Sequence, residues 1–297
     1  MTVERAQELV AWQQDLARAG YIAEPPLVAA LLLMQDLGRP LLLEGDAGVG
    51  KTEVAKVLAS VRKTRLIRLQ CYEGLDAHAA MYEWNYQRQL LAIKLLEHDE
   101  RGIAQKEQDI FSERYLLKRP LLDAITADQP AVLLIDEIDR ADEAFEAYLL
   151  ELLSDFQLSI PELGTVHAKS RPLVVITSNG TRELSDALRR RCLYQYIDYP
   201  DYEKELAIVR KKAPAAAAEL AQQIVAFVQA VRRMELQKKP GIAETLDWTA
   251  ALLRLDITTI EHDGAERIIE TLSALIKTRD DRAAFPRDVV ARLAAAC

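Results

Sequence analysis

Apolar positions recur near every 3.6 residues from 3 to 19 (Val3, Leu9, Val10, Trp12, Leu16, Ala17), which predicts an amphipathic helix. Gly20 can stop it. Tyr21 and Ile22 precede Glu24-Pro25-Pro26, and Pro26 can open a second helix over 26–37. The pattern then changes. Pro40-Leu41-Leu42-Leu43 is a short apolar run and 65–71 alternates apolar with polar, so both read as strands. Residues 72–85 hold Tyr72, Tyr82 and Trp84, with Tyr86 next, and read as an aromatic-rich loop. Its aromatics suit either core packing or client contact. Helical periodicity resumes over 87–96. Residues 97–119 mix charges of both signs and read as a solvated helical excursion. Residues 121–125 read as the last turns of a helix that leads into a strand.

The run Ala131–Ile135 is almost continuously apolar and ends in Asp136-Glu137-Ile138-Asp139, as expected of a central parallel strand buried on both faces. Phe145, Leu149, Leu152, Leu153 and Phe156 form one stripe of a helix over 142–156. Pro161 and Gly164 interrupt alternating residues 157–170, which predicts a hairpin. A strand over 172–177 ends at Ser178-Asn179-Gly180; a helix over 183–191 and a strand over 193–197 follow. Beyond residue 200 strand signals cease. Helices are expected over 201–211, 215–235, 244–254, 264–278 and 286–296, with a break at Lys238-Lys239-Pro240-Gly241. The fold class is therefore α/β: a three-layer parallel sheet in residues 1–200, then a small helical domain in 201–297, with Asp198-Tyr199-Pro200-Asp201 as the boundary.

Composition narrows the function. Half of the 297 residues are hydrophobic, enough for a substantial core, yet no apolar run approaches a membrane span; Leu27–Leu33 is too short for a transmembrane segment. The start, Met1-Thr2-Val3-Glu4-Arg5, is charged and unlike a signal peptide. Cys71, Cys192 and Cys297 are far apart and form no CxxC, which suits a reducing cytoplasm and argues against a disulfide framework or a zinc site. The four histidines show no ligand spacing. The net charge of −8 weighs against nucleic acid as main partner, while leaving a local basic channel open.

The strongest chemical signal is Gly45-Asp46-Ala47-Gly48-Val49-Gly50-Lys51-Thr52, a G-x-x-x-x-G-K-[ST] phosphate loop between a predicted strand and a predicted helix. Its glycines let backbone N–H groups wrap a phosphate. Lys51 brings a point charge, Thr52 a hydroxyl for Mg²⁺, and the helix from Glu53 aims its positive end at the anion. This loop alone implies a nucleotide, not hydrolysis.

Asp136 and Glu137 add the second half. A carboxylate at the end of an apolar strand can orient Mg²⁺, and its neighbour can polarise water. Asn179, at the end of the next strand, suits either a turn before Gly180 or an amide that positions water near a γ-phosphate. Arg189-Arg190-Arg191 closes a helix. Dipole compensation, a short nucleic-acid patch or an arginine finger acting across a subunit boundary all fit that position.

The order of these motifs resembles an AAA+ ATPase, and more narrowly the MoxR branch. The carrying residues are Glu44–Glu53, Leu133-Leu134-Ile135-Asp136-Glu137-Ile138-Asp139, Ile160-Pro161-Glu162-Leu163-Gly164-Thr165-Val166 and Val174-Val175-Ile176-Thr177-Ser178-Asn179. Trp84-Asn85-Tyr86 and Pro240-Gly241-Ile242-Ala243-Glu244-Thr245-Leu246-Asp247-Trp248 look most like the CoxD group, ATPases that help mature the active-site cluster of aerobic carbon monoxide dehydrogenase. The resemblance implies ATP and Mg²⁺ as cofactors, Lys51 and Thr52 as Walker A, Asp136 and Glu137 as Walker B, and Asn179 as sensor 1. It implies Arg191 as the arginine finger, with Arg190 as alternate, and Tyr21 and Ile22 against the adenine. The excursion 97–119 matches the helix-2 insert, and 157–170 the hairpin before sensor 1. It also implies a hexameric ring, a von Willebrand factor A-domain partner and a molybdenum hydroxylase client. One departure stands out: 244–248 lacks the sensor-2 arginine of many lids, and Arg254 is a candidate substitute two turns later.

Overall fold

The computed structural model describes residues 3–96, 102–260 and 264–297. Helices α1 (Val3–Arg18) and α2 (Pro25–Leu37) lead to strand β1 (Leu41–Glu44), and α3 (Lys51–Val61) to β2 (Leu66–Gln70). Next come α4 (Ala77–Met81), β3 (Tyr82–Trp84), α5 (Tyr86–Leu95), α6 (Ile103–Ile110), β4 (Leu116–Lys118) and α7 (Pro120–Thr126). Strand β5 (Val132–Asp136), α8 (Glu143–Asp155), the hairpin β6 (Gln157–Ile160) and β7 (Gly164–His167), β8 (Leu173–Ser178), α9 (Asp186–Arg191) and β9 (Leu193–Tyr196) follow. Among the described residues six helices follow: α10 (Tyr202–Lys212), α11 (Ala218–Arg232), α12 (Ile242–Arg254), α13 (Gly264–Thr271), α14 (Arg279–Ala283) and α15 (Arg287–Ala295).

Three stretches differ from the sequence expectation, each for a local reason. Residues 72–85 are not all loop: β3 pairs antiparallel with β4, Tyr82 opposite Lys118 and Trp84 opposite Leu116. A three-residue strand whose partner lies far along the chain leaves no period to read. Residues 121–125 do not end a longer helix but belong to α7, which Pro120 opens; proline's fixed φ suits a first turn and its missing N–H costs nothing there. The helix expected over 264–278 stops at Thr271, and Thr278 caps α14 by accepting from the Asp281 N–H. Of the excursion 97–119, residues 97–101 lie outside the described residues; the remainder contains α6 and β4.

Contacts group the described chain into two compact units. One comprises Pro25–Glu44 and Ala55–Gln195; the other comprises the chain up to Glu24, Gly45–Val54 and the chain from Tyr196.

In the first unit a five-stranded sheet runs β2-β5-β8-β1-β9. Strand β5 lies between β2 and β8, both parallel to it, with Leu133 beside Ile67 and Val174. All five β5 residues are buried, which explains its apolar sequence. Phe145 and Leu149 of α8, Ile125 of α7 and Trp84 join the same core. Trp84 stands edge-on to Phe111 at 5.4 Å and to Tyr82 at 6.2 Å, so it is a core residue, whereas Tyr72 and Tyr86 are exposed. This register leaves the C-terminal ends of β5 and β8 side by side.

In the other unit α11 packs against α10, α12 and α15. Trp248 is fully buried with its ring 4.9 Å from Phe227, and its Nε1 donates to Thr271 Oγ1 at 2.7 Å. Truncating such an aromatic to alanine costs roughly 3–5 kcal/mol.

Candidate nucleotide site

Lys51 opens α3 at the end of the glycine-rich turn, and its side chain is buried. Its Nζ donates to the carbonyls of Gly45 and Asp46, both at 2.7 Å, so the ammonium sits inside the curl of the loop. Gly50 has φ +95°, and no atom lies within 4 Å of the position a Cβ would take. A left-handed turn with open space above it and a lysine within it fits a phosphate group. Asp46, Ala47 and Gly48 are exposed and Val49 is buried; Thr52 and Glu53 are half-buried in the first turn of α3.

Tyr21 and Ile22 are half-buried in the same unit. Burial, and then the nearby charges of Glu24 and Glu53, push the Tyr21 hydroxyl well above its usual range, so it stays neutral and presents a flat apolar ring. Lys212 Nζ lies 3.3 Å from Glu53. The start of α12 reaches the loop: Ile242 N–H donates to the Gly48 carbonyl at 2.9 Å. Arg254 does not. It is exposed in the last turn of α12, about 18 Å along the axis from Ile242.

The acidic residues lie in the sheet unit. Asp136 ends β5 and is buried. Thr177 Oγ1 on neighbouring β8 donates to its Oδ1 at 2.5 Å, and Arg68 Nη2 on β2 to its Oδ2 at 2.6 Å. Glu137 follows in a left-handed conformation, φ 56°, ψ 51°, its N–H donating to Thr177 Oγ1 at 2.9 Å. Gln70 Nε2 (3.1 Å) and Arg140 Nε (2.9 Å) hold its Oε2. The sheet thus brings Asp136, Glu137 and Thr177 together.

Asn179 is tied in through Asp139. The Asp139 carboxylate accepts from the N–H of Asn179 (3.2 Å), the N–H of Thr181 (3.0 Å) and Thr181 Oγ1 (2.6 Å). Burial alone would raise its pKa, but these hydrogen bonds outweigh burial and hold it below the usual carboxylate range. Cys71 sits by the same acids; burial first, then Asp136, Asp139 and Glu137, push its thiol up to about 12, which removes it as a nucleophile.

Ser185 caps α9, and Arg39 donates to the carbonyls of Arg190 (2.5 Å), Arg191 (3.1 Å) and Cys192 (3.3 Å) at its other end. Arg189 lies 3.3 Å from Glu44, while Arg190 and Arg191 are exposed. Sequence reasoning missed Arg68, Gln70, Thr177 and Asp139. A usable signal existed for three of them: Arg68 and Gln70 share one face of β2, and Thr177 is polar near the end of the mostly apolar β8.

Residues 40–192, more than half the chain, match the AAA domain of the dynein-related subfamily. The chain belongs to that AAA family. It is similar to an uncharacterized protein of Staphylococcus epidermidis, 27% identical over 232 residues, covering 75% of this chain and 80% of that one. It is also 27% identical over 210 residues to gas vesicle ATPase GvpN1 of Halobacterium salinarum, covering 66% of this chain and 57% of that protein. The solved Holliday junction branch migration motor RuvB of Thermotoga maritima aligns over 91% of this chain and 71% of that one, at 20% identity with a TM-score of 0.45. The α/β P-loop fold and ATPase activity follow from the family. Among the described residues no helix of this AAA+ ATPase is long and apolar enough to cross a membrane, and no three His, Cys, Asp or Glu residues cluster as a metal site. Mg²⁺ commonly takes one or two protein oxygens plus phosphate oxygens; the Thr52 hydroxyl in one unit and the Asp136 carboxylate in the other are each oxygens of that kind.

Proposed function

We propose that this AAA+ ATPase is a MoxR-type motor that binds ATP with Mg²⁺ at subunit boundaries of a hexameric ring and uses hydrolysis to remodel a client protein. Gly45–Gly50 and Lys51 hold the phosphates, Tyr21 and Ile22 pack the adenine, and Thr52 and Asp136 hold Mg²⁺, whose charge would offset that of the γ-phosphate. Glu137 polarises the attacking water, Asn179 orients it, and Arg191 completes the site of the adjoining subunit. The observation that carries this reading is the enclosure of Lys51 by the Gly45 and Asp46 carbonyls. The exposure of Arg190 and Arg191 on a helix end braced by Arg39 supports the finger.

Glu137→Gln tests the hydrolytic half. ATP binding should persist while phosphate release falls by about 10²–10⁴-fold, the range for loss of a general base. Equal turnover by wild type and variant would reject a catalytic role for Glu137.

The client we infer is a molybdenum hydroxylase of the carbon monoxide dehydrogenase type, with a von Willebrand factor A-domain protein as partner. The support is the resemblance of Trp84-Asn85-Tyr86 and Pro240–Trp248 to the CoxD group. Co-production of such a hydroxylase with wild type or Lys51→Ala checks it: mature enzyme should form only with wild type. Equal maturation would favour a different protein client, a reading to which the likeness to gas vesicle ATPases lends weight.

A further inference from the structure

Arg232 closes α11 with its side chain buried, and its guanidinium is bidentate on fully buried Glu205: Nη1 to Oε2 and Nη2 to Oε1, both 2.6 Å. The remaining polar atoms are well used. Glu205 also accepts from Gln229 Nε2 (2.7 Å) and Thr245 Oγ1 (2.8 Å), and Arg232 Nε donates to the Pro240 carbonyl (2.7 Å). The guanidinium lies 5.2 Å from the centre of the Tyr199 ring. A buried ion pair is a poor source of stability, because an apolar pair of similar volume often serves as well or better. What a bidentate pair supplies is fixed geometry.

Pro240 and Thr245 flank the turn that opens α12, and that turn meets the phosphate loop. Besides the bond from Ile242 to the Gly48 carbonyl, a Cβ on Gly241 would lie 2.7 Å from the Gly48 Cα, carbonyl carbon and oxygen. Gly48 is itself at φ +80°, where side chains are strained. The two backbones touch with no side chain between them. Glu244 pins the turn by accepting from Gly241 N–H at 3.0 Å. Burial first, then the charge of Asp46 in the loop, push the hydroxyl of Tyr199, under the Arg232 guanidinium, up to about 12. Residues 244–248 carry no arginine; among the described residues the start of α12 meets the loop through backbone, and Lys212 pairs with Glu53 in the first turn of α3.

We propose that Arg232 is a positioning residue for the phosphate loop: through Glu205, Pro240 and Thr245 it holds the start of α12 on Gly48 and so sets the curvature of Gly45–Gly50. This inference rests on reading that loop as the ATP site. Nucleotide affinity is then set in part from the helical unit, by backbone contact.

The test is equilibrium titration of the full chain with the fluorescent analogue mant-ATP. The double variant Arg232→Met with Glu205→Leu removes both charges and keeps the volume. It should melt within about 5 °C of wild type. Its Kd should weaken about tenfold and KM rise in parallel, with kcat changed by less than about twofold. A folded double variant that binds mant-ATP as tightly as wild type overturns the proposal. Should that variant fail to fold, Gly241→Ala decides, since its Cβ pushes on Gly48 while leaving the ion pair intact. The same weakening is expected, and unchanged affinity overturns the proposal. If wild type itself does not bind mant-ATP, the reading of the loop fails, a result distinct from loss of binding in the variants alone.

Discussion

Arg68 sets its guanidinium 2.6 Å from the carboxylate of Asp136, the residue proposed to orient Mg²⁺. The arginine is half-exposed and the carboxylate buried. A protein cation there competes with the metal for the same negative charge. Arg68→Gln should therefore shift the Mg²⁺ dependence of ATPase activity to lower concentration by about two- to fivefold, the scale of a partly exposed ion pair. A shift to higher Mg²⁺ would mean that Arg68 orients Asp136 more than it competes.

Arg191 and Lys51 belong to different subunits' sites if the finger acts in trans. Arg191→Ala and Lys51→Ala should each be inactive alone. Mixed, they should regain a fraction of wild-type turnover, because some boundaries then pair an intact loop with an intact finger. No recovery in assembled mixtures would place Arg191 outside the site.

The three cysteines should differ in reactivity. Burial pushes the Cys71 and Cys192 thiols up to about 12 and the half-buried Cys297 to about 11. At pH 8 a thiol-reactive dye should modify Cys297 first, with the other two slower by about tenfold or more, since thiolate is the reacting species. In guanidinium all three should react alike. Mass spectrometry of the partly labelled protein locates the dye.

Asp139 predicts an acid limb of stability. Its folded pKa lies below the ordinary value, so its stabilising contribution is present above the unfolded value of about 3.9 and is lost as pH falls through the lower folded value. Asp139→Asn should be less stable than wild type at pH 6, with the gap closing as pH drops below about 3.9. Denaturant midpoints across this range measure it. A gap independent of pH would show that hydrogen bonding alone, without the charge, accounts for the role of Asp139.

Where function depends on short-range order, the chain announced it. Gly45 to Thr52 must be contiguous to make a phosphate turn, and Asp136-Glu137 must follow an apolar strand to stand at its end. The partners that hold these residues are remote in sequence and pair only once the sheet forms. Thr177 reaches Asp136 from the neighbouring strand, and Asn179 and Thr181 reach Asp139. The ribbon of Tyr82–Trp84 with Leu116–Lys118 was hidden for the same reason. Glu205 and Arg232 each look like ordinary helix-surface charges until α10 and α11 pack together. Arg254 is the opposite case: it is near the start of α12 along the chain yet about 18 Å away along the helix axis.

The left-handed backbone of Glu137 sets two selective demands against each other. A side chain with a Cβ is disfavoured at φ 56° by about 1–2 kcal/mol, and glycine or asparagine is better suited. Glu137→Gly should therefore melt higher than wild type while losing turnover. The proposed reaction keeps at this position a residue that folding alone would replace, a local trade of durability for work.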